Sequence, residues 1–413
     1  MLRDAEVLAE LMTRKADHTL PQAFYTDPGV FDADMRHIFY REWLLAGSVA
    51  EVPKAGSFIT LQIGAYSVIV VRGADGEVRA FHNSCRHRGS RICQKDKGNA
   101  PKLVCPYHQW TYELDGRLIF ARDMGPDFDY SQYGLKPVHC RQAAGLVFIC
   151  LAPVAPPLDA LAEQAQRFVG PHRLDKTKVA YQSRIVEKGN WKLVMENNRE
   201  CYHCSGAHPS LCRTFDDNPN IAGSGEGEAM EDPAITAHHK RCEEAGLASR
   251  FTIDPAHQWR FVRVPLVGTC ESYTMDGKVA VSKLLEGMPI KRAGTVLFFH
   301  YPNCWNHFLS DHALTFRMMP VSATETELTT TWLVHEDAVE GVDYDLKRLT
   351  EVWIATNDED RKVVEENQRG VNSPAYEPGP YSRVQESGVM QFIDWYEATL
   401  RGRLTGRTVI AAE

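Results

Sequence analysis

The sequence contains no apolar run that approaches the roughly 18 residues needed for a membrane-spanning helix. Its first residues, MLRDAEVLAELMTRKADHTLP, mix acidic and basic side chains among the apolar positions. This pattern predicts an amphipathic helix, and it lacks the apolar core of a secretory signal. We therefore expect a cytoplasmic protein with no membrane partner.

The sequence also lacks an excess of positive charge, internal repeats and low-complexity tracts. Its net charge of -8 argues against nucleic acid or an anionic membrane surface as the main partner. The hydrophobic fraction of 44% and the charged fraction of 24% are ordinary for globular proteins. A length of 413 residues then suggests two domains or one large composite domain.

Short strand-like segments dominate residues 57–151, where β-branched and aromatic residues alternate with turn dipeptides such as Asp75-Gly76. A proline-rich stretch over residues 153–157 predicts a connection between domains. Beyond it, strands mix with helices, including late helices near residues 344–366 and 384–400, which indicates an α+β domain. The glycine-rich residues 223–228 are expected to form a mobile loop.

Two cysteine–histidine turns form the first candidate metal site. Cys85 and His87 form C-x-H, and after seventeen intervening residues Cys105 and His108 form C-x-x-H. Each turn has one Cys and one His, so two thiolates can bind one iron and two imidazoles the other, as a Rieske [2Fe–2S] cluster requires. A structural zinc knuckle is the alternative, although zinc fingers usually have two Cys on one turn and two His on the other. Cys93 lacks a fitting spacing and is expected to pack.

A second candidate site lies in the segment that follows Trp191. If this segment is one helix, Glu196, Glu200 and His203 share a face, and His208 can fold back toward His203. Two histidines and a carboxylate suit Fe(II) with open coordination positions. Taken singly, each of these residues is as well explained as a surface acid or a core histidine.

The cysteines of this segment, Cys201 and Cys204, form a C-x-x-C pattern that is compatible with redox chemistry or zinc. On a helix they would point partly away from the predicted metal face, so we expect them to pack. Cysteines beside histidines in a reducing compartment favour metal binding over disulfides.

With both sites, the sequence resembles the α subunits of Rieske oxygenases, also called aromatic ring-hydroxylating oxygenases, over nearly its whole length. The family motif D/E-x2-H-x4-H matches Glu200, His203 and His208. The family's third iron ligand is an Asp in a late helix, and the resemblance places it at Asp360, with Asp358 as the alternative. Glu200 would link the cluster to the iron.

The resemblance implies an α+β protein with an all-β Rieske domain followed by an α+β catalytic domain built on an antiparallel sheet. It implies a helical segment over residues 1–44 that packs on the catalytic domain. The Rieske [2Fe–2S] domain would cover residues 45–155, and the catalytic domain with mononuclear Fe(II) would cover residues 156–413.

One residue narrows the resemblance. Most of the family has Asp at the position of Glu200, and a Glu there resembles the branch that acts on quaternary ammonium compounds such as glycine betaine, proline betaine (stachydrine) and carnitine. The implied reaction is hydroxylation of an N-methyl group followed by release of formaldehyde. Hydroxylation of an aromatic acid, of choline or of carnitine is the alternative, and a non-catalytic electron carrier would not need the second site.

The resemblance also implies partners. An NAD(P)H-dependent, ferredoxin-type reductase would supply electrons, and O2 and a small quaternary ammonium compound would be the substrates. Family members form head-to-tail trimers in which the working cluster and iron belong to different subunits. His108 or His87 of one subunit would then bond Glu200 of its neighbour.

A quaternary ammonium group donates no hydrogen bond, so its pocket should offer aromatic faces for cation–π contacts. We expect two or three aromatic residues of the second half at the substrate, and a His or Arg near the strand of residues 295–300 to pair with a carboxylate. The candidates are Trp259, Phe261, Phe298, Phe299, Tyr301, Trp305 and Phe308.

Overall fold

The computed structural model describes residues 1–216 and 233–406. The loop expected at residues 223–228 lies outside these ranges. The chain divides into two compact units, one of residues Phe39–Ala162 and one that combines Met1–Ile38 with Glu163–Glu413. Within the two described ranges, no helix is both long and apolar enough to cross a membrane.

The smaller unit contains a seven-stranded antiparallel sheet with the order β1-β10-β9-β4-β3-β2-β5 and a three-stranded sheet with the order β6-β7-β8. Residues Val68–Val71 are fully buried in its centre, as expected of a β-branched run. Its strands are β1 (Leu44–Ser48), β2 (Ser57–Ile63), β3 (Tyr66–Arg72), β4 (Val78–His82), β5 (Lys97–Asn99), β6 (Leu103–Val104), β7 (Thr111–Tyr112), β8 (Leu118–Phe120), β9 (Pro137–Ala143) and β10 (Leu146–Cys150).

The larger unit is built on a second seven-stranded antiparallel sheet, with the order β11-β17-β16-β15-β14-β13-β12. This sheet and the helices beside it confirm the predicted α+β class. Its strands are β11 (Thr177–Glu187), β12 (Thr252–Ile253), β13 (Trp259–Val264), β14 (Thr295–His300), β15 (Cys304–Phe308), β16 (Ala313–Ser322) and β17 (Glu325–His335).

The two late helices are longer at their C-terminal ends than the sequence predicted. They cover Leu346–Val371 and Ser387–Leu404, and they continue through Gly370 and Gly402, which follow the predicted ends. The described α-helices are α1 (Asp4–Leu11), α2 (Ala23–Thr26), α3 (Pro28–Asp34), α4 (Asp159–Phe168), α5 (Trp191–Asn198), α6 (Cys204–Ala207), α7 (Pro233–Glu244), α8 (Leu346–Val371) and α9 (Ser387–Leu404).

A buried polar cluster fastens α3 to the rest of the larger unit. The carboxylate of Asp34 accepts from Lys192 Nζ at 2.5 Å, from Trp191 Nε1 at 2.9 Å and from the Tyr396 hydroxyl at 2.7 Å. Asp34 and Lys192 are both fully buried, and such a pair is retained only when hydrogen bonds compensate its lost hydration. This cluster fixes α5, which leads directly into the second candidate site.

Candidate metal centres

The two cysteine–histidine turns of the smaller unit have the same backbone geometry. Cys85 N–H donates to the Ser90 carbonyl at 2.9 Å, and Cys105 N–H donates to the Trp110 carbonyl at 2.9 Å. In each turn the residue four positions after the cysteine has a positive φ, which is 79° at Gly89 and 60° at Gln109, and its N–H donates back to the cysteine carbonyl. The turns are therefore a matched pair that presents one Cys and one His each.

The side chains of these turns separate by type. Cys85 and Cys105 are 3% and 2% exposed and belong to the core between the two sheets. The rings of His87 and His108 lie 4.7 Å apart between centroids, and His87 stacks on Trp110 at 4.9 Å. Thiols on the buried side and imidazoles on the outer side are the donor arrangement of a Rieske cluster, so these residues fit that group.

The environment of the buried thiols is consistent with a cluster. Burial raises the pKa of Cys85, which opposes formation of a free thiolate, and the Tyr112 hydroxyl lies 3.3 Å from its Sγ. Binding iron would supply the compensating positive charge. A hydroxyl in this position can then donate to a cluster sulfur, one of the ways in which proteins tune Fe–S potentials.

At the second site three donor atoms converge in the larger unit. His203 Nε2 and His208 Nε2 are 3.0 Å apart, and Asp360 Oδ1 is 3.3 Å from the first and 2.9 Å from the second. The two histidines flank the short helix α6, and Asp360 projects from α8. Asp358 instead pairs with Arg361 at 2.9 Å. Two imidazoles and one carboxylate meeting at one point fit the facial triad of oxygen-activating Fe(II) sites.

Two further carboxylates hold the histidine rings. Glu200 Oε1 lies 2.6 Å from His203 Nδ1, and Glu359 Oε2 lies 2.9 Å from His208 Nδ1. Such contacts fix the ring orientation of metal-binding histidines and increase their basicity. Glu200 was predicted from the sequence and Glu359 was not, although a carboxylate next to a predicted ligand on the same helix was a usable signal.

These contacts also set the protonation of the triad. Burial disfavours a charged His203 ring, but its hydrogen bonds with Asp360 and Glu200 outweigh that effect and raise its pKa to about 9. Burial likewise opposes the charge on Asp360, yet the bonds to both histidines hold the pKa of its carboxyl below the ordinary value. The site therefore favours a cation among its donors, which a proton or a metal ion can satisfy.

The predicted helix through the motif is wrong in its length. Helix α5 ends at Asn198, and a turn separates it from α6. Glu200 lies in this turn, where its carboxylate accepts the Tyr202 backbone N–H. Glu196 therefore does not share a face with Glu200 and His203. It accepts instead from the hydroxyls of Tyr25 at 2.8 Å and Tyr381 at 3.0 Å.

This position gives Glu196 a testable effect on stability. Burial raises the pKa of Glu196 to about 7 from 4.5, although the tyrosine hydrogen bonds oppose the shift. Between these two values the folded chain holds a proton that the unfolded chain has lost. The contribution of Glu196 to the free energy of unfolding is therefore full below about pH 4.5 and disappears as pH rises through about 7. Glu196→Gln should abolish this pH-dependent loss of unfolding free energy, which amounts to up to about 3 kcal/mol.

The check is the thermal unfolding midpoint of wild type and Glu196→Gln at about pH 5 and about pH 8. The variant should lose less stability than wild type between the two values. Glu377→Gln, which removes an exposed carboxylate, is the control for a general change in acidic charge. Parallel pH curves for wild type and Glu196→Gln would contradict the prediction.

The cysteines of the motif differ from the expectation that they simply pack. Cys204 is buried, but it forms a disulfide with Cys201, while the other nine cysteines form no disulfide. Cys204 Sγ lies within 4.8 Å of the imidazole nitrogens of His203 and His208. Because its sulfur is engaged in the disulfide, Cys204 provides no thiolate donor, and the candidate donors remain two imidazoles and a carboxylate.

A cavity of about 720 Å³, measured with the space that opens to solvent, adjoins the triad. Trp353, Thr356 and Asp360 line it together because they share one face of α8 at i, i+3 and i+7. Its wall comprises Asn197, Asn198, Arg199, Glu200, Cys201, His203, Cys204, His208, Leu211, Phe215, Arg260, Leu297, Phe299, His307, Trp353, Thr356, Asp360, Gln385 and Gly388.

The aromatic prediction is only partly right. Of the seven residues proposed from the sequence, Phe299 alone lines the described cavity wall, together with the unpredicted Phe215, His307 and Trp353. Phe298 points to the opposite face of β14, where it stacks on Phe261 at 4.3 Å. Alternation along a strand places Leu297 and Phe299 on one face and Phe298 on the other.

Comparison with known proteins is consistent with both sites. Residues 42–136 match the model of the Rieske [2Fe-2S] domain, and residues 174–402 match that of the ring hydroxylating alpha subunit (catalytic domain). The solved structure of a quaternary ammonium Rieske monooxygenase covers 95% of this chain and 98% of its own with a TM-score of 0.73. At 23% identity, that likeness shows the fold.

Curated relatives are closer in sequence. The glycine betaine monooxygenase oxygenase subunit of Pseudomonas aeruginosa (strain UCBPP-PA14) is 49% identical over 95% of this chain and 92% of its own length. The protein of the same name from Chromohalobacter salexigens is 48% identical over 95% and 88%. The carnitine monooxygenase oxygenase subunit of Escherichia coli (strain K12) is 35% identical over 47% and 53%.

Two matched domains in the expected order and relatives that cover nearly the whole chain establish the family, whose cofactors are a Rieske [2Fe–2S] cluster and a mononuclear iron. The chain belongs to the Rieske non-haem iron oxygenases, as a ring-hydroxylating α subunit similar to the quaternary ammonium monooxygenases.

Proposed function

We propose that this chain is the oxygenase component of a monooxygenase that removes an N-methyl group from glycine betaine or a closely related betaine. The observation that carries the proposal is the set of three donor atoms, within 3.3 Å of one another, in the wall of a partly aromatic cavity. The names of the relatives that are 48–49% identical supply the substrate class.

In the smaller unit, Cys85 and Cys105 would hold one iron of the cluster, and His87 and His108 the other. The cluster supplies single electrons for the reaction. Buried thiolates keep the sulfur side away from water, and the more exposed imidazoles face a partner. Arg88 lies beside them, with its guanidinium 2.9 Å from His108 Nε2 and 4.6 Å from the Tyr107 ring centroid. We propose this face as the surface through which electrons pass.

In the larger unit, His203, His208 and Asp360 would hold Fe(II), which supplies the oxygen-activating chemistry of the family. Glu200 would orient the His203 ring through its Nδ1 and form the bridge toward the cluster of a neighbouring subunit. Glu359 would hold His208 in the same way. Both carboxylates act through the histidines, so their role is to position them.

The reaction inserts one oxygen atom of O2 into a methyl C–H bond, and two electrons and two protons reduce the other atom to water. The resulting N-hydroxymethyl ammonium loses its hydroxyl proton, its C–N bond breaks, and the nitrogen keeps the electron pair. Formaldehyde and the tertiary amine leave. Faces of Trp353 and Phe215 would attract the cationic head, which cannot donate hydrogen bonds.

We further propose the partners and boundaries that the family implies. The partners are an NAD(P)H-dependent, ferredoxin-type reductase and two further copies of this chain in a head-to-tail trimer. The proposed limits are residues 1–44 for the helical segment, 45–155 for the Rieske domain and 156–413 for the catalytic domain. A cytoplasmic location is part of the same proposal.

The purified protein should be red-brown with about three irons per chain, two in the cluster and one in the triad. With O2, NADH and a surrogate reductase it should release formaldehyde and dimethylglycine from glycine betaine. Proline betaine, carnitine, choline and benzoate are the comparison substrates. Three irons with formaldehyde from none of the quaternary compounds would refute the demethylase assignment, and a colourless zinc protein would refute the oxygenase assignment.

A further inference from the structure

A buried arginine in the cavity wall has terminal nitrogens without a partner among the described residues. Arg199 is 3% exposed, and neither Nη1 nor Nη2 has a hydrogen-bond partner within residues 1–216 and 233–406. Among the ion pairs of residues 1–216 and 233–406, none involves Arg199. A buried polar group without a partner costs about 1–3 kcal/mol, and more when it is charged. This cost calls for an anionic ligand, which the part of the chain that the structure describes does not supply.

The position of Arg199 is fixed by its neighbours. Its Nε donates to the Tyr301 hydroxyl, and its guanidinium lies over the Phe299 ring, 4.1 Å from the centroid. Gly388 makes room for it, since a Cβ there would lie 2.9 Å from Nη2 and 2.4 Å from the Arg199 carbonyl oxygen. The Nε bond and the stacking hold the guanidinium plane and leave the two Nη groups for another acceptor.

A second arginine shares this part of the wall. Arg260 on β13 is 3% exposed and lies over the same Phe299 ring at 4.8 Å. Burial and the neighbouring charge of Arg199 hold the pKa of Arg260 well below its ordinary value. Two guanidiniums on one aromatic ring make this part of the cavity positive.

We propose that Arg199, with Arg260 beside it, binds the carboxylate of the substrate and thereby selects betaines over quaternary ammonium compounds without a carboxylate. The inference rests on the proposed function and adds the specificity-determining residue. A carboxylate accepts two parallel N–H bonds from a guanidinium. The same positive charge repels the trimethylammonium head, so the zwitterion is oriented with its methyl groups away from the two arginines, toward the triad and the rings of Phe215 and Trp353.

The first test uses the wild-type holoenzyme and two ligands of nearly the same shape. Glycine betaine and its carboxamide share the cationic head, but only the first has a carboxylate. Isothermal titration calorimetry should give a Kd about 100-fold lower for glycine betaine, because a charge-assisted bidentate contact is lost in the amide. Equal affinities, with formaldehyde still released from glycine betaine, would overturn the inference while leaving the proposed function intact.

The second test places the discrimination at Arg199. Arg199→Gln should bind both ligands with similar affinity and raise KM for glycine betaine about 100-fold, with a smaller effect on kcat. Arg199→Lys should recover part of the discrimination, since it keeps the charge without the planar fork. Arg213→Gln, an exposed arginine outside the cavity wall, should match wild type.

Iron content and the cluster spectrum show whether each variant has folded. Full discrimination in an iron-loaded Arg199→Gln would overturn the inference. If Arg199→Gln does not fold, Arg199→Lys provides the test. The inference is overturned if Arg199→Lys binds glycine betaine and its carboxamide each with the same affinity as wild type does. Absence of formaldehyde from glycine betaine in wild type, by contrast, is a failure of the proposed function.

Discussion

Asp360→Ala is expected to abolish formaldehyde release while leaving the visible spectrum of the Rieske cluster unchanged. Asp360 Oδ1 lies 2.9 Å and 3.3 Å from the two histidine nitrogens, so its removal takes away the only anionic donor of the triad. Iron should fall from about three to about two per chain. The loss of activity should exceed the roughly 10- to 100-fold typical of residues that only support a ligand.

The chain provides a matched control two residues away. Asp358 lies on the same helix, pairs with Arg361 at 2.9 Å and has a side chain that is 47% exposed. Asp358→Ala should keep three irons and near wild-type turnover, because it removes one surface carboxylate of the same type. If Asp358→Ala loses the iron and Asp360→Ala keeps it, the third iron ligand is Asp358 and the assignment to Asp360 is wrong.

Most candidate donors of the two metal centres could be proposed from the sequence because they are close together in it. Cys85 and His87 share one turn, and Cys105 and His108 share another, so spacing alone gives a candidate donor set. The third iron donor was different. Asp360 is 152 residues beyond His208, and only the resemblance to a family motif marked it among many helix-surface acids.

The course of the backbone through the second motif could not be predicted from periodicity. Spacings of four and three residues from Glu196 to His203 match a helix, but α5 ends after Asn198. Tertiary contacts account for the difference, because the Tyr25 and Tyr381 hydroxyls hold Glu196, while the His203 ring holds Glu200. A helical spacing shows that residues can share a face, and it does not show that the helix continues.

The lining of the cavity depended on contacts between distant segments. Arg199, Arg260 and Gly388 come from a helix end, a strand and another helix, and no local pattern links them. Trp353 is the exception, since counting back from Asp360 at i−4 and i−7 on α8 would have found both Thr356 and Trp353. Once one ligand on a helix is known, its face predicts further residues of the site.

Mixing two inactive variants should restore activity if electrons cross between subunits. His87→Ala removes a proposed ligand of the cluster and keeps the triad, while Asp360→Ala does the reverse. In a head-to-tail trimer that contains both chains, one of the three junctions joins an intact cluster to an intact iron. Purified mixed trimers should therefore release formaldehyde at about a third of the wild-type rate.

The variants are coexpressed with different affinity tags and purified over both, so that only mixed trimers are assayed. A mixture of His87→Ala with the double variant His87→Ala/Asp360→Ala contains no intact cluster and should remain inactive. Inactive mixed trimers with full iron in their intact sites would contradict transfer between subunits. Recovery near a third of wild type would mean that each triad depends on the neighbour's cysteine–histidine turns, since neither variant chain has both centres.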